Sequence, residues 1–553
     1  MDKCKHFDIC GLNTYKGEYC FLHSDHVPKD KETFLKIFED HRKNRGDNFK
    51  YFYFPSDIDF SSATFTGVNF QGAKFFGGVS FDNATFTGAA DFQEIVFQEK
   101  ANFHEATFTE EANFKGAKFH DHASFDSAKF SKDAIFYEAT FDGISEFSFA
   151  KFDKEANFNL SKFIGKAHFG GNTTFTENAS FQGVEFNEEA IFNGATFSKR
   201  AFFLLARFGK ITSFDRVTFQ EDVIFHHATF SEGAIFFFVT FGKEASFNFA
   251  IFIGEASFAK TIFSRAADFG STTFNKGGNF SGVLFKEGKS NFSFGKFFDR
   301  SLFIGSKDDK EKNIQIFKNI KVDFRNVVMS PPNAIIFRDA DLSQCLFQGT
   351  RVDKIEFTNV KWAMIPGKLG YSRTGIYDEK ISLDSIKSTK KSKKKDKENL
   401  DWEHIERVYR DLKVNHIETG DHERAGDFHY GEKEVRRRNP STPLMHRFFL
   451  NLYRILSGYG ERYLRPLAWA FFVLISGTIG YLAFGIGMAD GLSLGIKDWF
   501  TVLLYSLQVM TLLRPTELEP IGVTSTAIKV FQSISGPIIL GLFALALRQR
   551  LKR

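Results

Sequence analysis

Proline is scarce in this sequence, 11 in 553 residues, and glycine stops at 44, which excludes collagen-like and proline-rich architectures. Cysteine is scarcer still. There are four, three of them within the first 20 residues, so no disulfide framework of a secreted protein is present. The first 50 residues contain no apolar run of the kind that opens a secretory signal, and no leader is expected. A large charge of one sign is also missing. The net charge is +5, which argues against a nucleic-acid binder, and no nucleic-acid partner is expected. No nucleophile–base–orienter set and no glycine-rich phosphate loop can be found, so the chain is not expected to be an enzyme.

What the sequence does have is phenylalanine, 74 residues against 14 Tyr and 4 Trp. From Phe60 onward Phe returns at nearly fixed steps. One stretch reads Phe86, Phe92, Phe97, Phe103, Phe108, Phe114, Phe119, Phe125, Phe130, Phe136, Phe141. The steps alternate six and five, giving an 11-residue unit with two Phe, and a small residue, usually Ala, stands two positions before most of them. The stretch ANFHEATFTEEANFKGAKF (101–119) shows the pattern, and Gly170 and Gly171 accommodate its one slip. An 11-residue period also suits a right-handed coiled coil. The recurrent Gly72, Gly116, Gly183, Gly194 and Gly282, with Thr, Ser and Asn between them, exclude a helix of that length. Ala and Phe two apart face the same side of an extended backbone. Short strands with a corner every five or six residues then stack into a solenoid about 4.8 Å per coil.

The A-x-F-x-x-x-A-x-F pattern resembles the pentapeptide-repeat proteins, whose usual unit is A-(D/N)-L-x-x. This chain departs from that unit in its central Phe and in making every second unit six long. The resemblance covers residues 54–305 and implies a mainly β fold, a right-handed quadrilateral β-helix of 22 residues per coil and about eleven coils. FRDADLSQCLFQGTRVDKIEFTNVKW (337–362) reads as one or two more coils, with Cys345 as a buried small residue. Residues 54–305 carry 30 acidic and 23 basic side chains, too thin an excess for an acidic DNA mimic. His120, Asp121, His122, His226 and His227 fall on variable, outward positions and read as solvated surface. The solenoid is expected to act as a spacer or as a docking surface for a cytosolic protein or ligand.

Cys4, Cys10, Cys20 and His23 are spaced C-x5-C-x9-C-x2-H, a complete tetrahedral donor set for Zn2+, with His6 as a competitor for the fourth place. Reduced thiols without metal, or redox-active thiols, are the alternatives. CKHFDICGLNTYKGEYCFLHS is similar to small Cys3His zinc modules at the front of other bacterial pentapeptide-repeat proteins, which implies a structural zinc. Residues 30–45 read as a short amphipathic helix.

Downstream, residues 387–397 hold seven Lys and read as a tether that can touch anionic lipid. Trp402, Ile405, Tyr409, Leu412 and His416 form a helical seam, and a second helix from Ala425 to Arg438 completes a hairpin. Leu467–Ile486 and Val530–Leu547 are uncharged runs long enough to span a bilayer core. Arg447, Arg454, Arg462 and Arg465 precede the first and RQRLKR follows the second. The positive-inside rule then places both termini in the cytoplasm of a multi-pass protein of the inner (plasma) membrane.

Between the spans, Trp499–Leu513 is too short to cross and suits a re-entrant pore helix. SLQVMTLLRPTELEP (506–520) resembles, without gaps, the pore helix and filter of potassium-channel-like domains, S-L-x-T-x-T-T-x-G-Y-G-D-x-x-P. Ser506, Leu507, Thr511 and Pro520 match, and Glu517 stands for the Asp. Arg514 and Thr516 occupy the glycine positions, with Pro515 between them. The resemblance implies a tetrameric homo-oligomer with a filter at Thr511, Leu512, Leu513, Arg514, Pro515, Thr516 and Glu517. It does not carry over potassium selectivity, since that filter aims backbone carbonyls from glycine-permitted conformations. Arg514 either rings the mouth and repels cations or braces the loop against Glu517 or Glu519. Gly536-Pro537 can hinge the second span as a gate, or serve helix packing.

The expected order is a zinc module (1–25), a linking helix (26–50), the β-helix (51–365), a Lys-rich linker (366–400), a cytosolic helical hairpin (401–446) and a two-span pore-like domain (447–553). The expected function is an ion channel with a cytosolic sensor or scaffold domain. The alternative is a non-conducting membrane-anchored scaffold.

Overall fold

The computed structural model describes residues 3–15, 18–25, 30–307, 313–367, 372–389, 401–488, 494–513 and 518–551. The chain divides into two compact units, Met1–Trp362 and Ala363–Arg553.

The first unit is a β-solenoid. Its strands are mostly two residues long, and they stack in parallel into four sheets of 13, 14, 11 and 13 strands, so the chain winds through about 14 coils. Ala101 pairs with Ala123 and Phe108 with Phe130, a register of 22 residues per coil. At the Gly170-Gly171 slip Lys151 pairs with Thr174, one residue later. Thr173 replaces Ala there, and its buried hydroxyl donates to the carbonyls of Phe147 and Gly170, both at 2.7 Å.

The corners explain the 11-residue period. The Ala106 N–H donates to the Phe103 carbonyl at 3.1 Å, and Glu105 between them has φ 52. Gly116, Ser127 and Glu138 take the same left-handed conformation at 11-residue intervals. Inside, Phe rings stack along the axis and meet edge-to-face across it. Phe103 and Phe125 lie 4.8 Å apart at 3°, while Phe114 meets Phe125 at 5.3 Å and 88°. Both arrangements suit the aromatic quadrupole. Each of these rings is fully buried.

A core of this kind must be closed at its ends. At the N-terminal end helix α2 does so, after the single helical turn α1 (Phe7–Cys10). Helix α2 (Lys31–Arg45) is capped by Asp30, which accepts from the Thr33 N–H at 2.8 Å. Its Phe38 packs on Phe49, Phe54 and Phe60 at 4.9–5.9 Å. At the far end Trp362 lies 5.1 Å from Phe357. Cys345 is buried and pairs in register with Val322, as a small interior residue should.

The second unit opens with an antiparallel hairpin, Ala363–Pro366 with Ser372–Gly375, then helix α3 (Tyr377–Thr389). The linker expected over 366–400 is thus corrected, since its described part is folded. The cause is burial of Glu379, which takes Arg373 at 2.5 Å and the Tyr409 hydroxyl at 2.5 Å. The lysine-rich positions 390–397 lie outside the described residues. Helices α4 (Trp402–Glu418) and α5 (His422–Arg438) form the expected hairpin, each capped by an Asp, Asp401 and Asp421. Helix α6 (Leu444–Ser457) is an addition that the sequence reading did not separate from the first span. Helices α7 (Leu464–Phe484) and α9 (Gly522–Leu551) are both long and apolar enough to cross a membrane. Helix α8 (Trp499–Met510) packs against both.

Candidate metal cluster and membrane segment

The four residues predicted as metal ligands converge. The ligand atoms of Cys4, Cys10, Cys20 and His23 all lie within 4.8 Å of one another, and all four residues are buried. Cys20 Sγ is 3.1 Å from His23 Nδ1 and 3.6 Å from Cys10 Sγ. Zinc–sulfur bonds of about 2.3 Å in a tetrahedron separate ligand atoms by about 3.8 Å, so this cage has the right size. Backbone N–H groups point at the sulfurs, Cys20 N to Cys4 Sγ at 3.2 Å and Leu12 N to Cys10 Sγ at 3.5 Å. Such donors stabilise thiolates. The Cys20 thiol donating to Cys10 holds the Cys10 thiol far below its ordinary range, at about 4, even against burial. The same bond, followed by burial, pushes the Cys20 thiol up.

His23 Nε2 lies 3.1 Å from the Lys50 carbonyl. A proton on Nε2 satisfies that carbonyl and leaves the Nδ1 lone pair facing the thiols, the usual way a second contact orients a metal-ligating imidazole. Lys50 borders the first coil, and the Tyr53 N–H donates to the Leu22 carbonyl at 2.9 Å. The cluster is therefore tied to the start of the solenoid. His6, the competitor, packs tilted against His23 and Tyr51, with ring centroids 4.8 Å from each. The donor set fits a metal ion.

The surface histidines of the solenoid form coil-to-coil pairs, His120 with Asp142 at 2.6 Å and His122 with Glu146 at 3.4 Å. His226 meets Ser246 at 2.5 Å, and His227 stacks on Phe249. Asp121 accepts from the His122 N–H at 2.7 Å. Except for the local Asp121–His122 bond, these contacts link neighbouring coils of the solenoid.

In the second unit, Ile486–Met488 after α7 pairs antiparallel with Leu518–Pro520 before α9. The segment that carries α8 thus leaves and rejoins at one end of the two long helices. Val502, Tyr505 and Val509 of α8 pack with Tyr481 and Ile486. Its last residue, Met510, reaches Ala470, Val473 and Ile539. Gly536 lies against Met510, whose backbone carbonyl a Cβ at position 536 would overlap. Pro537 follows inside α9.

A buried polar knot holds the three helices together, and the sequence reading missed it. Gln532 Nε2 donates to the Val473 carbonyl at 2.9 Å and to Ser506 Oγ at 2.8 Å, and its Oε1 accepts from the Tyr481 hydroxyl at 2.9 Å. Gly477 leaves the room that the amide occupies. The available signal was the one glutamine in the long, mainly apolar run 530–547. Of the filter residues, Thr511, Leu512 and Leu513 follow α8 and are exposed, with Leu512 at φ 58. Arg514, Pro515, Thr516 and Glu517 lie outside the described residues.

These features define a β-solenoid protein with a Cys3His cluster at one end of its sequence and two membrane-length helices at the other. The family described as pentapeptide repeats (9 copies) matches residues 49–96, 92–140 and 171–218, so these stretches of the solenoid are similar to pentapeptide repeats. No curated protein and no solved structure matches the chain.

Proposed function

We propose that the chain is a multi-pass plasma (inner) membrane protein whose C-terminal helices form one subunit of a tetrameric ion-conducting pore. Its pentapeptide-repeat solenoid, read as right-handed, stands in the cytoplasm with both termini and serves as sensor or scaffold for a protein or ligand there. The Cys3His cluster holds a structural Zn2+. Only 28% and 22% of the most apolar windows of α7 and α9 are buried, far less than core helices of a soluble protein require. Lipid supplies the missing contacts.

One observation carries the pore reading. Helix α8 has 12 residues, about 18 Å at 1.5 Å per residue, too short for a bilayer core of about 30 Å. It starts from the strand-paired end, and its last residue meets Gly536 in the interior of α9. A short helix that enters and returns on one side is the plan of a re-entrant pore helix. In this reading Thr511, Leu512 and Leu513, which follow Met510 and are exposed, border the narrow path.

Recording from purified protein in planar bilayers tests this. A conductance is expected, with a reversal potential that shifts in Arg514→Ala. Silence across voltage, tension and ionic conditions would remove the channel. The second reading, a membrane-anchored scaffold that does not conduct, is favoured by Arg514 and Thr516 in place of the filter glycines. A monomer in native-membrane extracts would decide for it.

A further inference from the structure

Helix α6 is oriented backwards for a water-soluble protein. Its packed side carries Leu450 and most of its polar residues. Asn451 accepts from Arg437 Nη1 at 3.3 Å, Arg454 lies 3.8 Å from buried Glu434, and Ser457 is fully buried. Its apolar side is left open. Leu444, Met445, Phe448, Phe449, Leu452 and Ile455 are 43–77% exposed. At 100° per residue these six fall within one arc of about 140°. A stripe of two Phe, two Leu, one Ile and one Met left facing water forgoes the burial that apolar side chains favour.

From this reversal we infer that α6 lies in the plane of the membrane surface, with its apolar stripe sunk into the acyl boundary of an anionic leaflet. The inference rests on the reading of α7 and α9 as spans. The occupant is assigned by position and charge. The Trp469 indole N–H donates to the Ile455 carbonyl at 3.2 Å, and Arg465 Nη1 donates to the Arg454 carbonyl at 2.8 Å. Those two bonds pin the end of α6 beside the first turns of α7, at the depth where a span meets the headgroups. Tyr463 and Trp469 are the aromatic residues that favour that depth. Arg462 and Arg465 are exposed there, and Glu461 is the one acidic residue from 444 to 469. A basic helix edge with an apolar face is the composition of an interfacial helix, and anionic headgroups complement the arginines. Through the Arg454–Glu434 contact, the depth of α6 is mechanically linked to α5.

Spin labels on the full-length protein in phosphatidylglycerol–phosphatidylethanolamine vesicles test this. Labels replace Phe448 and Leu452 on the stripe, Ile475 on α7 as span reference and Val414 on α4 as aqueous reference. All four side chains are exposed, so packing is retained, and signal from the native thiols is subtracted using the unsubstituted chain. Oxygen collisions are expected to exceed those of a water-soluble nickel chelate at 448, 452 and 475, and the reverse at 414. Lipid contact at 475 with aqueous behaviour at 448 and 452 would overturn the inference and leave the spans standing. Shielding of 448 and 452 from both reagents would mean that protein covers the stripe, and would also overturn it. Aqueous behaviour at 475 would remove the spans and this inference together.

Discussion

The backbone carbonyl and the side chain of Met510 together fill the place that a Cβ on Gly536 would take, so that the end of α8 and the middle of α9 pack closely. Backbone can approach backbone this closely only where the Cβ is missing. Gly536→Val is expected to push α8 out of place. It should lower the stability of the helical unit by about 1–3 kcal/mol. Thermal unfolding in detergent measures this, and Gly541→Val, with open space around the added Cβ, is the control that should change little.

Gln532 should behave as a shared fastener. Gln532→Leu removes two donated bonds and one accepted bond, at an expected cost of about 1 kcal/mol, the scale of buried polar contacts between membrane helices. A double-mutant cycle with Tyr481→Phe should show coupling. Strict additivity would mean that the Tyr481–Gln532 bond contributes nothing.

Metal analysis of the intact chain should find about one zinc per molecule, bound with release of protons as the remaining thiols ionise. Cys20→Ser should abolish it, while His6→Ala should retain it, because His6 packs against His23 and is not one of the four converging residues. Loss of the metal should also loosen α2 and the first coil, through the His23–Lys50 and Tyr53–Leu22 bonds. Hydrogen exchange over residues 31–60 reads this directly.

The α4–α5 hairpin should weaken on acidification. Burial lowers the pKa of His416 below the ordinary value of 6.5, helped by Arg424 and opposed by Asp421. A depressed folded value means the stability is fully present above about 6.5 and is lost as pH falls towards the lowered value. Unfolding of residues 401–438 followed between pH 7 and 5 should show the decline, and His416→Phe should flatten it.

Deleting one rung of the aromatic ladder tests the solenoid core. Phe136 stacks on Phe114 and Phe158 at 4.9 and 4.8 Å, and Phe136→Ala should cost about 3–5 kcal/mol. The effect should be concentrated in the adjacent coils, since each coil contacts mainly its neighbours. Limited proteolysis should then cut near residues 110–160 first.

The parts that were legible in advance depend on short-range pattern. An Ala and a Phe two apart, repeated every five or six residues, define strand, corner and inward face, and the stacking follows from repetition. C-x5-C-x9-C-x2-H names its ligands because the chain needs only to curl on itself. The folded segment after residue 366 was illegible for the opposite reason. Glu379 is buried because Arg373, Tyr409 and Arg438 come to it, and the last two are 30 and 59 positions away. Helix α6 was hidden by its own amphipathicity, because its Leu, Phe and Ile read as the approach to a span until their outward direction was known.

The sequence by itself determined the coil, its length of 22 residues, the Cys3His set and the two long apolar helices, since each is a matter of local spacing or of composition. Only the tertiary structure decided which groups meet across the chain. It brought Gln532 to Tyr481 and Ser506, set Met510 on Gly536, and turned the apolar face of α6 outward. Those outcomes depend on how helices far apart in sequence share a small volume, and one-dimensional periodicity does not encode that.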